Sequence, residues 1–139
     1  MGRIRAIALV VGLAGWLGLE GWVVSPSKIV QVKTEELSGW LKKGEKVWVL
    51  DTRSARFDDM KRLPGAMSLP YNTPEGGIRE KIPDFESKVV VYCGHEKCPA
   101  SQYMAERLVR LGYQKVYRYG GGVKAWSKEG KPIELAKSL

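Results

Sequence analysis

The stretch "VVVYCGHEKCPASQYMAERL", residues 89–108, decides the fold. Three valines and a tyrosine form a short, continuously apolar run, and "KVVVY" (88–92) is the most strongly β segment of the chain. The run stops at Cys93. From Pro99 onward Met104, Ala105, Leu108 and Leu111 recur on one helical face, and Gly112 follows as a cap. Pro99 suits the first position of that helix, where its missing N–H costs nothing. Residues 93–98 are therefore predicted to be a loop carrying a buried strand into a helix. The chain has only two cysteines, Cys93 and Cys98, and both fall in this loop.

Outward from that unit the pattern repeats. "KIVQV" (28–32) reads as a short strand. Thr34 offers a helix N-cap, and "EELSGWLKKG" reads as a helix closed by Gly44. "KVWVLD" (46–51) is a buried strand, "SARFDDMKR" a short helix or helical turn, and "LPGAMSLP" another short strand. "PEGGIREKIPDF" is a loop with at most one weak helix. "KVYRY" is a last strand and "GGVKAWSKEG" a last helix. Short apolar strands alternating with helices predict a doubly wound α/β domain, a parallel sheet of about five strands covered on both faces. Functional crevices in such sheets lie at the carboxyl ends of the strands. Two loops leave such ends: one at Asp51, the other at Cys93.

The first residues read differently. Arg3 and Arg5 precede a hydrophobic stretch, Ile4–Val24, of 21 residues broken only by Arg5 and Glu20. As a helix it would cover about 31 Å, roughly a bilayer core, with Trp22 as an interfacial anchor. A cleaved signal peptide is the competing reading, although no A-x-A site follows and Pro26 crowds the one small-x-small pair. A buried soluble helix is a third reading; under either of the first two, residues 1–25 are expected to be a membrane anchor or signal segment and residues 26–139 one domain, which the positive flank sends outside the cytoplasm, into the periplasm or an equivalent space.

Composition narrows the function. At 44% hydrophobic and 27% charged residues, the chain has the makeup of a folded domain. The net charge of +8 is compatible with an anionic small substrate, anionic lipid or nucleic acid. The basic residues are scattered, so no nucleic-acid footprint is read. Two cysteines cannot build a disulfide scaffold. With one histidine and no CxxC spacing, no metal is expected, and no cofactor.

The Cys93 loop supports a specific chemistry. It feeds a helix N-terminus, whose free N–H groups carry partial positive charge, and His95 and Lys97 add cationic character. A thiol in that setting has a depressed pKa and is an effective nucleophile. Loop N–H groups that curl around the sulfur would form a nest for an anion.

At this point the sequence resembles the rhodanese family. The resemblance rests on "VLDTR" (49–53), "RLPGAMSLP" (62–70), "VVVYCGHEKCPAS" (89–101), "LGYQKVYRYGGGVKAW" (111–126) and "GKPIE" (130–134), in family order across about residues 28–135. It implies a sulfurtransferase, with Cys93 carrying sulfane sulfur as a persulfide. Gly94, His95, Glu96, Lys97 and Cys98 would form the substrate loop. Asp51 and Arg53 would belong to the facing loop, with Arg53 structural, and Gly121, Gly122 and Trp126 would shape the last turn and helix. The implied partners are a small anionic sulfur donor such as thiosulfate, a thiol or cyanide acceptor, and an unidentified protein acceptor.

Two departures matter. Seven residues separate Cys93 from Ser101, two more than the common family loop, and Cys98 occupies a position that often carries Arg or Thr. A wider loop also suits phosphatases of this fold, but the arginine they need six positions after the cysteine is here Pro99. Phosphatase and arsenate reductase readings are thereby weakened. A non-catalytic sulfur-carrying or partner-binding module and a thiol–disulfide redox protein remain as alternatives. Cys98 has three open roles: a helix-start residue, a resolving thiol able to close a Cys93–Cys98 disulfide, or a second sulfur site.

Overall fold

The computed structural model describes residues 28–137. The hydrophobic segment expected over residues 4–24 lies outside them. The chain runs through β1 (Val30–Gln31), α1 (Thr34–Lys42), β2 (Val47–Asp51), a 3-10 turn (Ala55–Phe57), β3 (Lys61–Arg62), β4 (Met67–Ser68), α2 (Glu75–Lys81), β5 (Lys88–Tyr92), α3 (Ala100–Leu111), β6 (Lys115–Tyr119), α4 (Gly122–Lys128) and β7 (Glu134–Leu135). Five strands form one sheet in the order β1-β6-β5-β2-β4. Every pairing in it is parallel, so the expected architecture is present.

The valine run explains why β5 is central. Alternate side chains of a strand point to opposite faces. Val89 and Val91 join Ile78, Ile82, Met104, Ala105 and Leu108 beneath α2 and α3. Val90 and Tyr92 join Leu37, Val123 and Trp126 beneath α1 and α4. A strand covered on both faces cannot alternate with polar residues, and each such side chain stabilises the fold by roughly 1.5–3 kcal/mol.

Two local expectations are corrected, and one strand pair appears that no expectation covered. Thr34 is the first residue of α1 rather than its cap; Lys33 holds the cap position without a side-chain hydrogen bond. The Thr34 hydroxyl instead shares a 2.8 Å hydrogen bond with the Tyr119 hydroxyl, tying α1 to β6. Pro99 stands one residue before α3, in helical backbone geometry, so the helix starts at Ala100. Finally, β3 and β7 form a separate antiparallel pair, Lys61 opposite Leu135 and Arg62 opposite Glu134. This pair folds the C-terminal segment back beside the loop that follows β2.

Candidate active site

Strands β2 and β5 are adjacent and in register, with Asp51 opposite Tyr92. Their carboxyl ends therefore release the two loops singled out by sequence at one edge of the sheet. The side chains there serve different purposes.

The loop after β2 is an ion network. Asp51 is almost fully buried. Its Oδ1 accepts the Arg53 backbone N–H at 3.1 Å and Nε–H at 3.0 Å. Its Oδ2 accepts Arg53 Nη2 at 2.7 Å, Arg62 Nη1 at 3.1 Å and the Tyr92 hydroxyl at 3.2 Å. Arg53 also donates to Asp59 at 2.8 Å and to the Lys61 carbonyl at 2.7 Å. Arg62 closes a bidentate pair on Asp58, both contacts at 2.6 Å. Burial works against the Arg53 charge, but the hydrogen bonds and charges of Asp51 and then Asp59 outweigh it and raise its pKa. The Arg62 hydrogen bonds hold the Asp58 carboxyl down at about 2. Burial, reinforced by the Asp51 charge, pushes the Tyr92 hydroxyl well above an ordinary tyrosine, so it stays protonated and donates. The network sets three carboxylates against two guanidinium groups and ties the end of β2 to β3. The Arg53 side chain also lines the cavity at the neighbouring loop.

The loop after β5 is held by its backbone. The Cys93 carbonyl accepts the Val123 N–H at 3.1 Å, and the Gly94 carbonyl accepts the Lys124 N–H at 2.9 Å. Both donors belong to the first turn of α4. The approach requires a glycine at 122, where φ is +64° and a Cβ would overlap the Cys93 carbonyl and lie 2.8 Å from the Gly94 carbonyl carbon. Gly121 is similarly constrained, since a Cβ there would meet the Ala125 methyl at 2.7 Å. Trp126 is buried, and its indole N–H donates to the Pro132 carbonyl at 2.8 Å. Beyond Gly94 the loop turns back on itself, with the Cys98 N–H on the His95 carbonyl at 3.1 Å. This curl brings the Cα atoms of Cys93 and Cys98 to 6.2 Å, and the two residues are joined as a disulfide.

Cys93 is 2% exposed, at the floor of a cavity of about 480 Å³. Its walls include Arg53, Ser54, Phe57, Tyr71, His95, Lys97, Cys98, Pro99 and Ala100. His95, Glu96 and Lys97 are all exposed. His95 and Lys97 border the cavity and Glu96 does not; all three line a neighbouring depression with Gly121 and Ala125. The start of α3 lies at the cavity wall, where its first N–H groups lack helical carbonyl partners. Ser101 is turned away to accept the Arg118 Nε–H at 3.0 Å. The structure thus gathers Cys93, Gly94, His95, Lys97, Cys98 and Arg53 around one cavity and leaves Asp51 and Glu96 outside it. Sequence reasoning did not pick out Phe57 and Tyr71, 69% and 36% exposed at the cavity wall. It also missed Arg62 and Asp58 as members of the ion network. Exposed aromatics beside short elements carry no periodic signal that would have marked them.

The profile of the rhodanese-like domain family matches residues 33–129, most of the chain. A sulfurtransferase of Allochromatium vinosum is 32% identical over 104 residues, covering 74% of this chain and 92% of that protein. Thiosulfate sulfurtransferase GlpE of Actinobacillus succinogenes is 34% identical over 92 residues, 66% of this chain and 79% of that one. Among solved structures, a Bacillus halodurans protein superposes with a TM-score of 0.68 at 26% identity, covering 76% of this chain and 77% of that one. A rhodanese-related protein of Thermoplasma volcanium superposes with a TM-score of 0.59 at 25% identity, over 76% of this chain and 98% of that one. The chain belongs to the rhodanese-like domain family.

Proposed function

We propose that the protein is a sulfurtransferase that moves sulfane sulfur through a persulfide on Cys93. One observation carries the reading: Cys93, 2% exposed, lines the cavity just past the carboxyl end of the central strand and beside the start of α3. Opened by a thiol reductant, the Cys93–Cys98 bond yields a Cys93 thiolate favoured by the adjacent helix terminus. The thiolate attacks the outer sulfur of thiosulfate or a related anionic donor. The donor S–S bond breaks, sulfite leaves with the electron pair, and Cys93 carries the persulfide. The start of α3 stabilises its negative charge. A thiol or cyanide then removes the outer sulfur and regenerates the thiolate. Lys97 and His95 line the cavity and attract an anionic donor through their charge and polarity. Arg53 does not share that task, because Asp51 and Asp59 already engage its guanidinium.

The test is thiosulfate:cyanide sulfur transfer by the full-length chain after reduction and removal of the reductant. Thiocyanate formation well above a protein-free blank is expected. Neither thiocyanate nor sulfite from reduced, folded protein would leave a non-catalytic module as the better reading.

A further inference from the structure

We propose that Cys98 is the resolving thiol of the transfer cycle, so that sulfur taken up by Cys93 leaves as hydrosulfide and each turn closes as the Cys93–Cys98 disulfide. The inference rests on the persulfide reading above and adds what becomes of the sulfur.

Three features of the loop carry it. First, the two sulfurs are bonded, so the curled loop delivers Cys98 to the atom on which the persulfide would form. Second, the two ends of the loop are held differently. The Cys93 and Gly94 carbonyls are fixed on the first turn of α4, whereas the turn from His95 to Cys98 is exposed at three of its residues. Cys93 is therefore the stationary partner and Cys98 the one that travels. Third, Cys93 is nearly inaccessible at the cavity floor, while Cys98 is partly exposed in the wall beside it. A bulky external thiol must enter the cavity to reach the inner sulfur. Cys98 is already there, and an intramolecular attack avoids the entropy cost of bringing in a second molecule.

The Cys98 thiolate attacks Cys93 Sγ, the inner sulfur of the protonated persulfide. The bond from Sγ to the outer sulfur breaks, and that sulfur leaves with the electron pair and its proton as hydrosulfide. A Cys93–Cys98 disulfide remains. Reopening it takes two electrons. The chain holds no third cysteine, so they come from an external dithiol, which leaves as its own disulfide. In this cycle the protein is a dithiol-dependent thiosulfate reductase, and a reaction that maintains dithiols must operate alongside it.

A single turnover decides the matter. The full-length chain is reduced, freed of reductant without exposure to oxygen, and mixed with thiosulfate in the absence of cyanide or any added thiol. Sulfite, hydrosulfide and intact protein mass are then measured. The inference predicts one sulfite and one hydrosulfide per chain, and protein that has lost two hydrogens and gained no sulfur. Cys98→Ser is predicted to retain one added sulfur and to release no hydrosulfide. Parent protein that releases sulfite but retains the added sulfur, with no hydrosulfide, would overturn the resolving role and leave the persulfide reading standing. Absence of both sulfite and any mass change would remove that reading and the inference with it. If Cys98→Ser does not fold, the parent result alone decides.

Discussion

The loops that follow β2 and β5 begin side by side in the same sheet and are stabilised in opposite ways. After β2, side chains do the work: Asp51, Arg53, Asp58, Asp59 and Arg62 share charge-assisted hydrogen bonds in a largely closed set. After β5, backbone hydrogen bonds and the Cys93–Cys98 disulfide do it: two carbonyls are fixed on α4, and His95, Glu96 and Lys97 are exposed. A guanidinium engaged by two carboxylates is fixed in place by them. A loop held by its carbonyls keeps its side chains and sulfurs for chemistry. The first loop is therefore expected to govern stability and the second activity, and substitutions in the two can be played against each other.

The largest expected stability effect belongs to the ion network. Asp51→Asn leaves two buried guanidinium groups facing an uncharged amide. Arg53 retains Asp59 and Arg62 retains Asp58, so the loss lies at the low end for a broken buried pair, about 3 kcal/mol. Urea unfolding measures it, and an unchanged midpoint would mean that the network is dispensable. Next is Gly122→Ala, which crosses the division. It places a methyl group against the Cys93 and Gly94 carbonyls at a φ of +64°. A cost of about 2 kcal/mol is expected, together with reduced sulfur transfer, because the sulfur-bearing loop must move. Loss of stability with wild-type transfer rates would show that the anchoring on α4 does not position Cys93.

The smallest effect is one of pH. The Asp58 carboxyl is held at about 2, against 3.8 for an unperturbed aspartate. Between those values the unfolded chain binds the proton and the folded one does not. The stabilisation is thus complete above about pH 4 and is lost as pH falls toward 2. Solvent at the loop rim screens the pair, so the loss is on the order of 1 kcal/mol. Melting temperature against pH checks it. In an Asp58→Asn protein the decline over that window should be shallower, and an identical decline would assign it to other carboxylates.

How much of this was legible in the sequence depended on how local the signal was. Strand β5, helix α3 and the cysteine between them are written in consecutive residues: an apolar run, a loop and a 3.6-residue periodicity. The β3–β7 pair was not legible, because each strand is two residues long and its partner is at the other end of the domain. Thr34 shows a local signal outcompeted, its hydroxyl drawn from capping duty to Tyr119. "VLDTR" pointed to Asp51 and Arg53, yet their mutual pairing, with Arg62 and Tyr92 around them, exists only once β2, β3 and β5 are assembled. The two-cysteine loop raised the question of a disulfide. The closeness of Cys93 to Cys98 followed from the turn at His95 and the hold of α4 on Cys93, which spacing alone does not reveal.

The central claim, that Cys93 takes up the sulfur, is tested most directly by sulfite release. Reduced parent and Cys93→Ser proteins, both full length, are mixed once with thiosulfate, and sulfite per chain is counted alongside the urea midpoint. One sulfite per parent chain is expected, none from Cys93→Ser, and similar midpoints, because in the reduced proteins the Cys93 loop is held by its backbone. Sulfite released by Cys93→Ser at the parent rate would contradict it.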